Sequence, residues 1–262
     1  MRPVVYAHRG GAGLAPENTM AAFDAGLAAG ADGIELDVRL ALDGVAVVIH
    51  DPTVDRTTDA VGPVDARTSG ELAGLDAGYH FAVDGSYPFR GRGIGVPSLR
   101  AVLDRHRGIA VLIELKSADP RLAKAVVDDI HALGALGLAT VGSFQKGALD
   151  EVRALDPLIR TGADMEDVRS GLATATGGDR LAKPAFETFQ VPEVYSGTRV
   201  VTPEFIARAH EAGVTVMVWT VNQADQMRRL LDWGVDGLIT DRPDLAAPIV
   251  REWYAESLIP DP

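Results

Sequence analysis

The sequence predicts an α/β chain folded as a (β/α)₈ TIM barrel. Short apolar runs of strand length recur eight times between stretches with helical spacing of apolar residues. Polar residues collect at the carboxyl ends of those runs, where barrel enzymes carry their chemistry. No internal repeat and no Pro- or Ser-rich linker interrupts the 262 residues, so 1–262 reads as one catalytic-sized domain.

Residues 4–7 form the first predicted strand, ending at His8-Arg9-Gly10-Gly11. A helix follows from about Thr19, with Asn18 or Thr19 as its N-cap and Gly30 as its stop. The second strand covers 33–38 and runs into Asp43-Gly44, the dipeptide a type I′ turn prefers, so 45–50 should return as an antiparallel hairpin arm. If Asp43 and Gly44 are the whole loop, Leu42 pairs with Val45 and Asp37 lies opposite His50. A longer loop slides the register by a residue or two and still leaves His50 near the acids. Residues 52–96 have few periodic runs and exceed an ordinary loop, which makes them an insertion expected to act as a lid over the barrel mouth.

Periodicity returns at Pro97, with Leu99, Val102 and Leu103 on one helix face, then a strand at 110–116. The next helix carries Leu122, Val126, Ile130 and Leu133. Further strands are expected at 139–143, 159–162, 187–191, 214–220 and 237–240. A final helix through Trp253 and Tyr254 should pack outside, before the Pro260-Asp261-Pro262 end.

Hydrophobic content of 47 % suffices for a large core. The absence of cysteine excludes disulfides, thiolate nucleophiles and cysteine-bound metals, leaving oxygen and imidazole as metal ligands. A net charge of −12 argues against a nucleic-acid partner. No apolar run is long enough to span a bilayer, and His8 follows the first strand too closely for a signal peptide. A cytoplasmic protein without a stable membrane anchor is the expectation.

Glu35 and Asp37 are two apart on a strand and therefore share a face, with Leu36 and Val38 on the other. Acids among Ile34, Val47, Val48 and Ile49 need a cation, a metal or a hydrogen-bond partner. Glu114 and Lys116 repeat the pattern, and three carboxylates without thiols suit Mg²⁺ or Ca²⁺. The alternative for Glu114 and Lys116 is a salt bridge inside the barrel. His8 and His50 are the histidines at strand ends, placed for acid–base work near neutral pH. His106, His131 and His210 fall on expected helices, and His80 in the insertion.

These residues stand in an ordered set of motifs: His8-Arg9-Gly10-Gly11, Ala15-Pro16-Glu17-Asn18-Thr19, Glu35-Leu36-Asp37-Val38 and His50-Asp51. Arg56-Thr57-Thr58, Pro97-Ser98-Leu99, Ile113-Glu114-Leu115-Lys116, Ser143-Phe144, Trp219-Thr220-Val221-Asn222 and Thr240-Asp241-Arg242-Pro243 continue it. The set runs through nearly the whole chain and resembles the glycerophosphodiester phosphodiesterase family. The resemblance implies a phosphodiesterase-type barrel, with Glu35, Asp37 and Glu114 as ligands of one divalent cation, Mg²⁺ or Ca²⁺ with Mn²⁺ possible. It implies His8 and His50 as the acid–base pair, Arg9 and Lys116 on the phosphate, and Trp219 beside the substrate. The implied substrate is a small glycerophosphodiester, yielding sn-glycerol 3-phosphate and an alcohol.

The same polar core with a greasier mouth would act as a lysophospholipase D or a sphingomyelinase D-like enzyme. Tyr79, Phe81, Tyr87 and Phe89 of the insertion are the residues to build that mouth, or else to pack on one another. A barrel that binds a phosphate metabolite without turnover, and a metal-dependent aldolase or isomerase, are the remaining alternatives. The least familiar stretch is 164–199, with its Gly177-Gly178-Asp179 break.

Overall fold

A computed structural model describes residues 2–177 and 184–258, so Gly178-Asp179 and the 260–262 end lie outside it. Strand β1 (Val4–Ala7) leads through a 3₁₀ turn at His8–Gly10 to helix α1 (Met20–Ala28). Thr19 caps α1, its hydroxyl accepting from the Ala22 N–H, and Gly30 follows the helix at φ +99°. Strand β2 (Gly33–Leu40) turns back as β3 (Ala46–Val48), and the insertion holds the short helix α2 (Ser69–Ala73). Helix α3 (Leu99–Arg105), strand β4 (Ala110–Leu115), helix α4 (Pro120–Ala132) and strand β5 (Ala139–Gly142) come next. They are followed by α5 (Lys146–Leu155), β6 (Arg160–Thr161), α6 (Met165–Gly177) and β7 (Thr188–Pro192). A small hairpin, β8 (Val194–Tyr195) and β9 (Thr198–Arg199), precedes α7 (Pro203–Glu211) and β10 (Thr215–Trp219). Helix α8 (Ala224–Trp233), strand β11 (Gly237–Thr240) and helix α9 (Pro243–Ser257) complete the order.

Eight of these strands pair in parallel in the order β6-β5-β4-β2-β1-β11-β10-β7, and a single bridge between Gly162 and Thr188 brings the two ends together. Bonds from Glu187 N to Thr161 O (3.0 Å) and from Ala163 N to Thr188 O (2.9 Å) flank that seam. The barrel is thus nearly closed, as expected, and strand alternation sorts its side chains. Ile34, Leu36, Val38, Val111, Ile113 and Leu115 point outward into a core shared with α3 to α5. Val191, Val216, Val218 and Leu238 point outward under α7 to α9. Inside, Tyr6, Leu112 and Ile239 form a small apolar cluster with Met217 and Trp219, which leaves Glu35, Asp37 and Glu114 on the interior face.

The hairpin has a different register from the two-residue turn. Ala41 N donates to Val45 O at 2.9 Å, so Leu42, Asp43 and Gly44 form a three-residue loop in which Gly44 takes φ +78°. The Asp43 carboxylate accepts from Ser69 N and Oγ at the start of α2, which ties it to the insertion. Val38 therefore pairs with Val48, and the residue opposite Asp37 is Ile49, whose N–H bonds the Asp37 carbonyl at 2.9 Å. One residue of slip changes faces: Val47 and Ile49 turn into the insertion's own core with Val54, Val64 and Leu72, while Ala46 and Val48 join the barrel's outer core.

No residue of the insertion, 52–96, is among those that line the central cavity. Its aromatics pack on themselves: Phe81 meets Phe89 edge-on at 5.3 Å, and the Arg90 guanidinium lies over Tyr79 and Tyr87. They form no greasy mouth.

Candidate active site

Positions forced by strand register assemble the site. Asp37 on β2 is the direct partner of Glu114 on β4, and Glu35 lies two residues back on the same face. On the far side of Glu114 its partner on β5 is Gly142, which presents no side chain. Ala7 pairs with Thr240, so the next residues on the two chains, His8 and Asp241, leave adjacent strands together. The turn carrying His8 is tight: Arg9, Gly10 and Gly11 all have positive φ (51°, 87° and 96°). A side chain on Gly10 would come within 2.7 Å of the α1 backbone at Ala22 and Phe23, so only glycine lets α1 pack against the turn.

Glu35, Asp37 and Glu114 offer oxygen atoms all within 4.8 Å of one another. Asp37 is fully buried and surrounded by donors and cations: Asn18 Nδ2 at 2.8 Å, Lys116 Nζ at 2.9 Å and Arg9 Nε at 3.1 Å. Burial acts to raise its pKa, but Lys116 and Arg9 prevail and hold it below the usual carboxylate range. Glu35 accepts from the Arg9 N–H at 2.9 Å; burial first, and then the Asp37 charge, push it up to about 7 against the opposing pull of His8. Lys116 bridges Asp37 and Glu114 (2.8 Å), so the salt bridge inside the barrel exists alongside the carboxylate cluster.

This set fits a hard divalent cation. Asp37 Oδ1 is buried without a hydrogen-bond partner among the described residues, its contact with Lys116 being close but poorly aligned. An all-oxygen set of crowded carboxylates suits Mg²⁺ or Ca²⁺, whose charge would offset the repulsion that, with burial, raises the Glu35 pKa.

Each histidine is backed by a carboxylate. His8 Nδ1 lies 2.7 Å from Asp241 Oδ1, and Asp241 is held by Asn222 Nδ2 at 2.7 Å. His8 Nε2 then faces Glu35 Oε2 at 4.0 Å. Burial disfavours the imidazolium, yet Asp241 and Glu35 outweigh it and the His8 pKa is raised. His50 Nδ1 lies 2.6 Å from Asp51 Oδ1. Asp51 in turn accepts from Arg56 Nε at 2.6 Å, which, with the His50 contact, brings its pKa down to about 2. Arg56 also donates to Glu17 at 2.7 and 2.8 Å, so the insertion reaches the site through this guanidinium. Arg9 Nη1 shares Glu17 at 2.9 Å.

His8, His50, Glu35, Glu114, Arg9 and Lys116 all line one cavity of about 500 Å³. Trp219 lines it too, edge-on to Phe144 at 5.8 Å between centroids. Asp37 sits just behind this wall. The sequence-predicted residues thus converge at one place. The opposite wall comes from α6 and the β8–β9 hairpin, through Met165, Val168, Leu172 and Tyr195.

Residues 8–245 match the profile of the glycerophosphoryl diester phosphodiesterase family. The chain belongs to that family. A glycerophosphodiester phosphodiesterase of Caldanaerobacter subterraneus subsp. tengcongensis is 33 % identical to it, with 96 % of this chain and 99 % of the relative aligned. The crystal structure of a glycerophosphodiester phosphodiesterase from Agrobacterium tumefaciens is 34 % identical and superposes with a TM-score of 0.76, covering 95 % of this chain and 99 % of that one. An Oleispira antarctica phosphodiesterase, solved in complex with the product sn-glycerol-3-phosphate, shares the fold with a TM-score of 0.77 at 24 % identity, over 95 % of this chain and 97 % of that one. As a glycerophosphodiester phosphodiesterase, the chain is a hydrolase enzyme.

Apart from Asn18 as a candidate N-cap, the sequence assigns no role to several residues that hold the candidate site together. Asn18, at φ 58°, holds Asp37 from both sides, donating to its carboxylate and accepting from its N–H at 3.3 Å. Asp241, Asn222 and Arg56 back the histidines from loops far apart in sequence. The adjacency of Asp51 to His50 was a signal in the sequence; the approach of Asp241 to His8 follows from the pairing of β1 with β11, which the sequence order does not show. No described helix is long and apolar enough to cross a membrane.

Proposed function

We propose that this chain hydrolyses small glycerophosphodiesters to sn-glycerol 3-phosphate and an alcohol, with Glu35, Asp37 and Glu114 holding one divalent cation and His8 and His50 serving as the acid–base pair. The observation that carries the reading is a cluster of three carboxylates, two on the cavity and Asp37 just behind its wall, with two imidazoles on the same cavity, each backed by its own carboxylate. When bound, the cation supplies charge neutralisation and Lewis-acid polarisation at a phosphoryl oxygen; Mg²⁺ and Ca²⁺ fit the donor set, with Mn²⁺ a further candidate.

The protein's own part follows from its hydrogen bonds. Asp241 and Asp51 occupy Nδ1 of His8 and of His50, so each ring keeps Nε2 free for a proton at the cavity. One Nε2 accepts the proton of the attacking hydroxyl group, and the other donates a proton to the departing alcohol oxygen, without which the alkoxide leaves poorly. Two histidines are required because entering and leaving groups of an in-line displacement lie on opposite sides of phosphorus. Arg9 and Lys116 oppose the charge that grows on the phosphoryl oxygens, in a part-buried site where fixed charges act strongly. Trp219 forms a wall against which the substrate lies.

His50→Ala tests the reading. Loss of one acid–base group lowers kcat by roughly 10²–10⁴-fold, while calorimetry still detects cation binding. A His50→Ala protein with wild-type turnover of glycerophosphocholine overturns the assignment.

A further inference from the structure

Gln190 on β7 is not used by the chemistry above. Going round the barrel, β7 is the fourth strand from β2 in either direction, so Gln190 stands across the barrel from Glu35 and Asp37. Alternation sends its neighbours Phe189 and Val191 into the outer core and Gln190 into the cavity. Its amide Nε2 is buried and has no hydrogen-bond partner among the described residues. A buried donor left unpaired costs free energy, and native proteins keep few of them.

The barrel also keeps this amide's place open. A Cβ on Gly142 would lie 2.9 Å from Gln190 Oε1, and one on Gly162 would lie 3.5 Å from Nε2. Glycine at the ends of two successive strands therefore lets the amide extend across β6 towards β5, beside the position paired with Glu114. Of the cationic groups that line the cavity, Arg9 and Lys116 are on the β1–β4 side beside the carboxylates and suit an ionised phosphate, while Arg169 stands on α6. A neutral amide, which both donates and accepts, suits a hydroxyl, which does the same.

We propose that Gln190 is a specificity-determining residue that hydrogen-bonds a hydroxyl of the substrate's glycerol moiety. This rests on the glycerophosphodiester reading above and gives it a residue. The phosphate is held at the carboxylate and cation side, and the polyol chain extends across the cavity to the amide on β7. A polar site left unpaired by an analogue without the hydroxyl discriminates against that analogue.

The test is calorimetric, on the full chain with a divalent cation present, using sn-glycerol 3-phosphate and n-propyl phosphate as probes. Wild-type protein is expected to prefer the glycerol ester by about tenfold or more, and Gln190→Met and Gln190→Ala to reduce the preference to within about twofold. The affinity for n-propyl phosphate should stay unchanged, which also reports that both variants are folded with an intact phosphate site. No preference in the wild type, a preference that survives both substitutions, or an equal loss of affinity for both probes overturns the proposal. Turnover of glycerophosphocholine by the wild type is measured alongside. Its absence, with the Gln190-dependent preference intact, would sink the hydrolase reading while leaving the hydroxyl contact standing.

Discussion

Replacing Glu35 by Gln should stabilise the metal-free protein at alkaline pH while removing its response to metal. Glu35 is buried beside Asp37 and near Glu114, and its pKa stands at about 7 against an ordinary 4.5. The folded protein therefore retains a proton on Glu35 that the unfolded chain loses near pH 4.5. Stability from this group is fully present below that pH and is lost as pH rises through about 7. Above pH 8 the loss amounts to about 3 kcal/mol, from about 1.4 kcal/mol per tenfold change in proton affinity. Gln keeps an oxygen to accept the Arg9 N–H but never ionises. In chelator at pH 8.5, Glu35→Gln should thus melt above wild type by roughly 6–12 °C, at roughly 2–4 °C per kcal/mol for a domain of this size. At pH 5 the gap should narrow to about 1 kcal/mol, roughly 2–4 °C. Added Mg²⁺ or Ca²⁺ should raise the midpoint of the wild type and leave that of the variant in place. Scanning fluorimetry at the two pH values reads all of this. A variant no more stable than wild type at pH 8.5, or a gap that fails to narrow at pH 5, would refute the view that Glu35 is an acid held for a cation.

The neighbouring acid should behave oppositely. Asp37 is ion-paired with Lys116 and Arg9, so Asp37→Asn leaves buried charge unbalanced and should cost about 3–5 kcal/mol at neutral pH. Its pKa is depressed, so this contribution is present above about pH 3.8 and is lost as pH falls further; acid melts of the two proteins should converge there. Chelation should abolish phosphodiesterase activity and a divalent cation should restore it; a chelator-resistant enzyme contradicts the metal assignment. Asp241→Asn removes one charge that raises the His8 pKa, so NMR titration of the metal-free protein should find His8 giving up its proton at lower pH than in wild type.

Much of the site could be read from spacing because its determinants are local. Two acids at i and i+2 on a strand share a face in any fold, and Glu35 with Asp37, like Glu114 with Lys116, keeps that arrangement inside the barrel. Helix limits were legible for the same reason: Thr19 and Gly30 terminate α1 through their own backbone and side-chain chemistry. The hairpin takes the longer of the two loops its sequence allows, and Asp43 bonds to Ser69, 26 residues away, a partner that a turn dipeptide does not reveal.

Strand rhythm, polar strand ends and the identity of the acids and imidazoles are written in the chain itself, since each depends on neighbours a few residues away. That Asp241 backs His8, that Lys116 lies between two acids, and that the wall facing the site comes from α6 and the β8–β9 hairpin emerge when the chain is folded. Those facts depend on contacts such as His8 with Asp241, made when β1 pairs with β11 and distant ends of the chain meet. The ionisation of Glu35 belongs with them, because its pKa is set by burial and by charges that sequence order does not bring within reach.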